Sequence, residues 1–169
     1  GLLYRLADQH QGPKVRVRAD AEALGELPVF NTIARIPGTA KPDEYIVLSA
    51  HFDSWDGGSG STDNGTGTVT MLEAVRILKQ VYPAPKRTII VGHWSGEEQG
   101  LNGSRAYAQD HPEVVKGLQA LFNQDNGTGR VQRIRLQGLV GAVPQGAAWL
   151  AQLPTGLSAD PTLPRPSAP

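Results

Sequence analysis

The hydrophobic positions of this chain fall into short runs separated by polar turns. Residues 45–50 (YIVLSA), 87–94 (RTIIVGHW) and 118–124 (LQALFNQ) are compact apolar runs. Runs of this length predict three buried strands. Residues 29–36 (VFNTIARI) predict a further strand that the turn Pro37–Gly38 closes.

Two other segments alternate charged and apolar residues. Residues 14–18 (KVRVR) and 130–138 (RVQRIRLQG) both follow this pattern. It predicts half-exposed strands at the edge of a sheet.

Helical spacing appears between the strands. In residues 65–82 one face carries apolar side chains, and Pro83 and Pro85 then end the segment. The residues expected on that face are Met71, Leu72, Val75, Leu78 and Tyr82. Residues 104–111 and 112–117 predict two shorter helices, the second with proline at its start. The alternation predicts an α/β fold of three layers, α-β-α, around a mostly parallel or mixed sheet.

Composition narrows the function classes. The 169 residues carry 16 Lys plus Arg and 16 Asp plus Glu, so the formal net charge is zero. A neutral chain lacks the basic footprint of a nucleic-acid partner. Cysteine is absent, which removes disulfides and thiolate metal ligands. No apolar run is long enough for a membrane span. Six of the 13 prolines follow residue 140, and we expect residues 141–169 to form a loosely structured tail.

Acidic residues and one histidine follow the predicted buried strands. His51 and Asp53 come after the first, Glu97 and Glu98 after the second, and Asp125 after the third. Asp63 precedes the long helix. The carboxyl ends of parallel strands share one edge of a sheet, so these side chains should meet there. Crowded carboxylates repel one another unless a cation is present. Imidazole and carboxylate ligands without thiolate suit zinc, manganese or cobalt.

Each residue also has an ordinary explanation. Asp63 suits a helix N-cap, adjacent glutamates are usually solvated, and residues 125–127 form a turn signal. Only the coincidence of all of them at strand ends favours a metal site.

Two other enzyme classes fit less well. The glycine-rich loop has the Gly60 to Gly65 spacing of a phosphate-binding loop, but Thr66–Gly67 stands where Lys–Ser/Thr is needed. Ser59 and Ser95 lie beside glycines, but neither is in a G-x-S-x-G elbow. His93 is near Ser95 in sequence, whereas a catalytic triad usually draws its histidine from another segment.

Four motifs together resemble the M28 family of zinc peptidases. They are AHFD (50–53), GSTDNGTG (60–67), EEQGLNGS (97–104) and NQD (123–125). The similarity runs from about residue 29 to residue 129 and is strongest to the plasma glutamate carboxypeptidase-like group. It implies a zinc-exopeptidase-like fold, in which residues 1–140 form the N-terminal part of one catalytic domain.

The resemblance also implies a role for each residue. His51 and Asp125 would bind one zinc ion, Glu98 would bind a second, and Asp63 would bridge the two. Glu97 would be the general base. Asp53 would hold the His51 ring through its other nitrogen. The family further implies a cis peptide bond after the bridging aspartate, and a peptide or dipeptide substrate.

One family feature is missing. The family has another histidine ligand well downstream, but no histidine follows Asp125 in this sequence. We therefore expect an incomplete domain that binds one or two zinc ions. Two hypotheses stay open: an exopeptidase, or a non-catalytic remnant of one. Sheet surface left uncovered would favour a homo-oligomer. The family resemblance implies a secreted or periplasmic protein.

Overall fold

A computed structural model describes residues 1–125, 127–129, 131 and 134–154. It contains five α-helices and four strands within these ranges, with a single π-helical turn at Ser61–Gly65 and a short 3-10 helix at Val140–Ala142. The helices are α1 (Leu2–Asp8), α2 (Thr66–Val81), α3 (Asn102–Asp110), α4 (Pro112–Gly117) and α5 (Val143–Leu150). The strands are β1 (Thr32–Ile36), β2 (Lys41–His51), β3 (Arg87–Trp94) and β4 (Leu118–Asn123). None of these helices is long and apolar enough to cross a membrane.

The four strands form one mixed sheet in the order β1-β3-β2-β4. Strands β3 and β4 both run parallel to β2, whereas β1 pairs antiparallel with β3. The three parallel strands therefore end at the same edge. The antiparallel strand lies at one side of the sheet, as is common in α/β folds.

Helices cover both faces of the sheet. On one face Tyr45, Val47 and Ile90 pack with Trp94 and with Val114 of α4. On the other face the buried cluster lies under α2 and comprises Leu48, Ala50, Met71, Ile89 and Val91. Successive residues of a strand point to opposite faces, so each central strand contributes to both clusters. The predicted three-layer arrangement is confirmed.

The predicted face of α2 is partly wrong. Met71, Val75 and Leu78 pack toward the sheet, together with Ala74, but Leu72 and Tyr82 are exposed. Each helical residue advances by about 100°, so Leu72 lies to one side of the stripe that Met71 begins.

Strand β4 lies at the sheet edge and is mostly exposed, although its apolar sequence predicts a buried strand. Leu121 is 50% exposed, and Phe122 packs only against Trp149 of α5 among the aromatic residues described. The apolar composition of a strand does not show whether it has a neighbouring strand on one side or on both sides. Here β2 is the one strand that pairs with β4 in the described part of the chain.

Two of the predicted strands are absent from the described residues. Residues 14–18 form no strand, and Val15 and Val17 are exposed. A short alternating segment without a pairing partner does not form a stable strand. Residues 134–138, from the predicted strand 130–138, are turn and irregular structure, while 130, 132 and 133 lie outside the described residues. Helix α5 lies within the expected tail, and residues 155–169 are outside the described ranges.

Removing a buried side chain from β3, one of the two central strands, should strongly lower the free energy of unfolding. Ile90 is 1% exposed, so Ile90→Ala removes a buried side chain and leaves a cavity. We expect a loss of about 2–5 kcal/mol in the free energy of unfolding, measured by urea denaturation. Ile77→Ala is the matched control because Ile77 is 44% exposed. Equal losses in the two variants would contradict the assignment of β3 to the core.

Candidate metal centre

Six residues predicted from the sequence to form the site lie together at the carboxyl ends of the parallel strands β2, β3 and β4. His51 is the last residue of β2, Glu97 and Glu98 follow β3, and Asp125 follows β4. Asp63 and Asp53 come from the loop between β2 and α2. The sheet topology thus brings together the residues expected from the sequence.

His51 is at the centre of this group. Its side chain is 3% exposed, and Nε2 lies 2.9 Å from Asp63 Oδ1 and 3.0 Å from Asp125 Oδ1. One ring nitrogen carries at most one proton and so cannot donate fully to both oxygens. Ligand atoms of His51, Asp63 and Asp125 lie within 4.8 Å of one another. Such a group of one imidazole nitrogen and two carboxylate oxygens matches the ligand set of a divalent cation.

A second set shares the same histidine. Potential ligand atoms of His51, Glu97 and Glu98 lie within 4.8 Å of one another. Glu98 Oε1 is buried and has no hydrogen-bond partner among the residues described. A buried carboxylate oxygen without a partner is unfavourable unless a cation binds it. The donor set therefore fits zinc at this position.

The backbone of Asp53 orients the histidine ring. The main-chain oxygen of Asp53 lies 2.9 Å from His51 Nδ1, while its carboxylate Oδ1 is 3.7 Å away. Asp53 therefore contacts the second ring nitrogen of His51 through its main-chain carbonyl rather than its carboxylate. The carboxylate instead accepts hydrogen bonds from the backbone N–H groups of Glu97 and Glu98, each at 3.1 Å. It thereby holds the loop after β3 against the loop after β2.

Asn64 joins the Asp63 turn to the loop that carries Asp125. Its side chain is buried, donates to the backbone oxygen of Gln124 at 2.8 Å and accepts from the N–H of Gly67 at 3.0 Å. A Cβ on Gly67 would lie 2.3 Å from Asn64 Oδ1 and 2.4 Å from Gln124 O. Glycine is therefore required at this close approach.

The Asn64 contacts also argue against the alternative that Asp63 is the N-cap of α2. Asn64, rather than Asp63, accepts the hydrogen bond from the first turn of α2, so Asp63 is free to face His51. The peptide bond between Asp63 and Asn64 is cis, as the resemblance implied. Sequence reasoning missed the role of Asn64. The available signal was an Asn three residues before a glycine at a helix start.

The electrostatics of the site favour positive charge. Burial disfavours a charged imidazole, but the carboxylates of Asp125, Glu97 and Asp63, together with the Asp53 carbonyl, outweigh it and raise the pKa of His51. The pKa of Glu97 is also raised, by burial and by the charges of neighbouring carboxylates, with His51 opposing the shift. A carboxylate with a raised pKa suits proton transfer near neutral pH.

The serine-based alternative gains no support. Ser95 Oγ donates to the backbone oxygen of Phe30 at 2.7 Å. His93 is buried, burial lowers its pKa, and neither ring nitrogen has a partner in the described ranges. No nucleophile and base pair is formed between them.

Comparison with known proteins identifies the family of this chain. The family model described as "Peptidase family M28" matches residues 31–152. The chain belongs to peptidase family M28. The match extends beyond residue 140, so it includes α5 within the segment that the sequence pattern assigned to the tail.

Individual M28 relatives are similar over most of this chain. Carboxypeptidase Q from Bos taurus is 33% identical over 127 residues, covering 75% of this chain and 27% of the relative. Among solved structures, an M28 peptidase precursor from Shewanella amazonensis has a TM-score of 0.65 at 30% identity. The match covers 72% of this chain and 27% of the Shewanella chain.

A zinc aminopeptidase from Bacillus subtilis, BSAP, is also similar. Its TM-score is 0.60 at 29% identity, with coverage of 72% of this chain and 31% of that one. This M28 chain therefore spans less than a third of the length of these relatives.

The Asp53 carboxylate should stabilise the loop that carries the glutamates. Asp53→Ala removes the acceptor of two backbone hydrogen bonds. We expect a loss of about 1.5–3 kcal/mol in unfolding free energy and faster amide hydrogen exchange at Glu97 and Glu98. The exposed Asp56 provides the control variant Asp56→Ala. Unchanged exchange at both glutamates in Asp53→Ala would show that the carboxylate does not hold this loop.

Proposed function

We propose that this chain carries the metal-binding half-site of a zinc-dependent exopeptidase that hydrolyses terminal peptide bonds of peptides or dipeptides. The observation that carries the proposal is the convergence of Asp63 and Asp125 on His51 Nε2, beside Glu97 and Glu98. The M28 relatives include enzymes named as carboxypeptidase and as aminopeptidase, so the proposal leaves the preferred chain end open.

The residues divide into two ligand groups. His51 and Asp125 would hold one zinc ion, Glu98 a second, and Asp63 would contribute to both. The first group is supported by the contacts of His51 Nε2 with Asp63 and Asp125, and the second by the buried, unpartnered oxygen of Glu98. When bound, zinc supplies Lewis-acid chemistry that lowers the pKa of water toward about 7 and polarises a carbonyl group.

Glu97 would move the proton. Its carboxylate accepts a proton from the attacking water and returns it to the nitrogen of the leaving amine. The raised pKa of Glu97 supports the first half of this role, because a more basic carboxylate takes up the proton more readily. The backbone N–H groups of Glu97 and Glu98 donate to the Asp53 carboxylate, which fixes the backbone of both residues after β3. In this proposal the two adjacent glutamates have different roles, Glu97 as the base and Glu98 as a metal ligand.

A non-catalytic role is the second candidate. The observation that favours it is that, among the ligands proposed within these 169 residues, His51 is the one histidine. The ligands within the chain would then bind metal without supporting turnover. Metal binding and hydrolysis measured on the same sample separate the two candidates.

Zinc affinity should increase with pH. His51 must lose its proton before it binds metal, and its pKa lies above the usual value, so protons compete with zinc beyond the ordinary imidazole range. We expect the affinity to rise by up to about tenfold per pH unit below the pKa of His51 and then to level off. Competition with a chromophoric chelator between about pH 5.5 and 8 measures this.

Two variants make the zinc experiment specific. His51→Ala should lose zinc, as measured by elemental mass spectrometry after dialysis. His111→Ala should leave the pH profile unchanged, because His111 is half-exposed and pairs with Glu113 in a different part of the fold. An affinity independent of pH would exclude His51 as a ligand.

Glu97→Gln should separate chemistry from metal binding. We expect normal zinc content and a fall in hydrolysis of aminoacyl or dipeptide substrates by at least about a hundredfold, because the amide cannot accept the proton. Glu26→Gln, in the exposed loop before β1, is the control. Zinc binding with no hydrolysis in the unaltered chain would support the non-catalytic candidate, and full activity in Glu97→Gln would refute the base assignment.

A further inference from the structure

Asn31 connects the two ends of the glutamate loop, residues 95–101 between β3 and α3, which carries the proposed base and one proposed zinc ligand. The Asn31 side chain donates to the backbone oxygen of Gly103 at 2.8 Å and accepts from the backbone N–H of Ser95 at 3.0 Å. Swapping its oxygen and nitrogen would place like groups together, so the amide orientation is fixed. One side chain thus bridges the end of β3 and the first turn of α3.

The bridge is closely packed around Gly103. The N–H of Gly103 donates to the backbone oxygen of Ser95 at 2.9 Å, which brings the two loop ends together. A Cβ on Gly103 would collide with Asn31 Oδ1 and with Ser95 O. Asn31 itself is half-buried, and the neighbouring Phe30 accepts a hydrogen bond from the Ser95 hydroxyl at 2.7 Å. The segment before β1 therefore contacts both ends of the glutamate loop.

The backbone of the glutamate loop needs such external support. Gly96, Gly100 and Leu101 all have positive φ, at +64°, +114° and +63°. The left-handed region suits glycine but is unfavourable for leucine. A residue in such a conformation persists only where the surrounding contacts impose it. Leu101 directly precedes α3, so the hydrogen bond from Asn31 to Gly103 holds the helix start beside the strained residue.

Asn31 and Asp53 hold different parts of the glutamate loop. The Asp53 carboxylate accepts hydrogen bonds from the N–H groups of the two glutamates in the middle of the loop. Asn31 contacts the two ends instead, and it approaches from β1, on the side of β3 opposite to β2. The strand β1 contains none of the proposed ligands, yet the residue before it is connected to the site through this loop.

We propose that Asn31 is a positioning residue, which fixes both ends of the glutamate loop and thereby places Glu98 where it can bind zinc. The inference rests on the proposed function, because that function assigns Glu98 to a zinc ion. Residues that orient a ligand change metal affinity by about 10- to 100-fold when they are replaced, although they do not touch the ion. A residue that only stabilises the sheet would leave the zinc affinity of the folded chain unchanged.

A double-mutant cycle on zinc affinity tests the proposal without turnover. Chelator competition at one pH gives the zinc dissociation constants of the unaltered chain, Asn31→Ala, Glu98→Gln and the double variant. We expect Asn31→Ala to weaken zinc binding by about tenfold or more when Glu98 is present. In the Glu98→Gln background the same change should have less than about a twofold effect, because the ligand through which Asn31 acts is already lost.

Thr88→Val is the matched control at the other end of β3. The Thr88 hydroxyl donates to the backbone oxygen of Pro42 at 2.7 Å and accepts from the N–H of Gly38 at 3.0 Å. This variant therefore also loses two hydrogen bonds to the backbone, but far from the glutamate loop. Its zinc affinity should be unchanged. Amide hydrogen exchange at residues 97–101 of the metal-free chain should become about tenfold faster in Asn31→Ala and stay unchanged in Thr88→Val.

A second substitution covers the case in which Asn31→Ala does not fold. Asn31→Asp keeps the acceptor for the Ser95 N–H and loses the donor to Gly103 O. It should show the same dependence on Glu98 in the zinc titration. Far-UV circular dichroism equal to that of the unaltered chain shows which variants are folded under the assay conditions.

The outcomes distinguish the inference from the function on which it rests. If Asn31→Ala weakens zinc binding equally with and without Glu98, or accelerates loop exchange without changing zinc affinity, Asn31 is not a positioning residue and the metal site stands. If the unaltered chain binds no zinc, or if Glu98→Gln leaves the affinity unchanged, the assignment of Glu98 fails and the role of Asn31 fails with it.

Discussion

The site depends most on the electrostatic balance between several carboxylates and the one buried imidazole of His51. Asp63 and Asp125 both lie about 3 Å from His51 Nε2, where no single proton can satisfy both. Such an arrangement is unfavourable by itself, and a cation relieves it. The surrounding backbone is organised to hold these charges in place, so the site is best understood as a set of ligands whose mutual repulsion makes the binding of metal favourable.

Hydrogen bonds between loops oppose that repulsion. Asn64 ties the turn before α2 to the loop after β4, and Asp53 ties the loop after β2 to the loop after β3. Each of these side chains bonds mainly to backbone atoms, which fixes the path of a loop rather than one rotamer. Gly67 permits the closest of these approaches. The three strand ends are thereby joined through hydrogen bonds between their loops.

Strand β4 combines an exposed position at the edge of the sheet with a role in placing Asp125. It carries the loop that leads to Asp125, yet one of its sides is unpaired and Leu121 is half exposed in the described part of the chain. An unpaired apolar strand edge tends to associate with further backbone. The M28 relatives are more than three times as long as the matched region. One ligand of the proposed centre thus depends on an edge strand of the sheet.

The sequence by itself determined the class of fold, the three parallel strands and the residues that meet at their ends, because strand periodicity and the polar residues after each strand are local patterns. Only the tertiary structure decided that Leu72 is exposed, that β4 is an edge and that the segment 14–18 is unpaired, since these depend on which elements are neighbours. It also decided that Asp53 orients His51 through its carbonyl and that Asn64 joins two loops. Contacts between residues distant in sequence leave no periodic signal, so they become visible only in the folded chain.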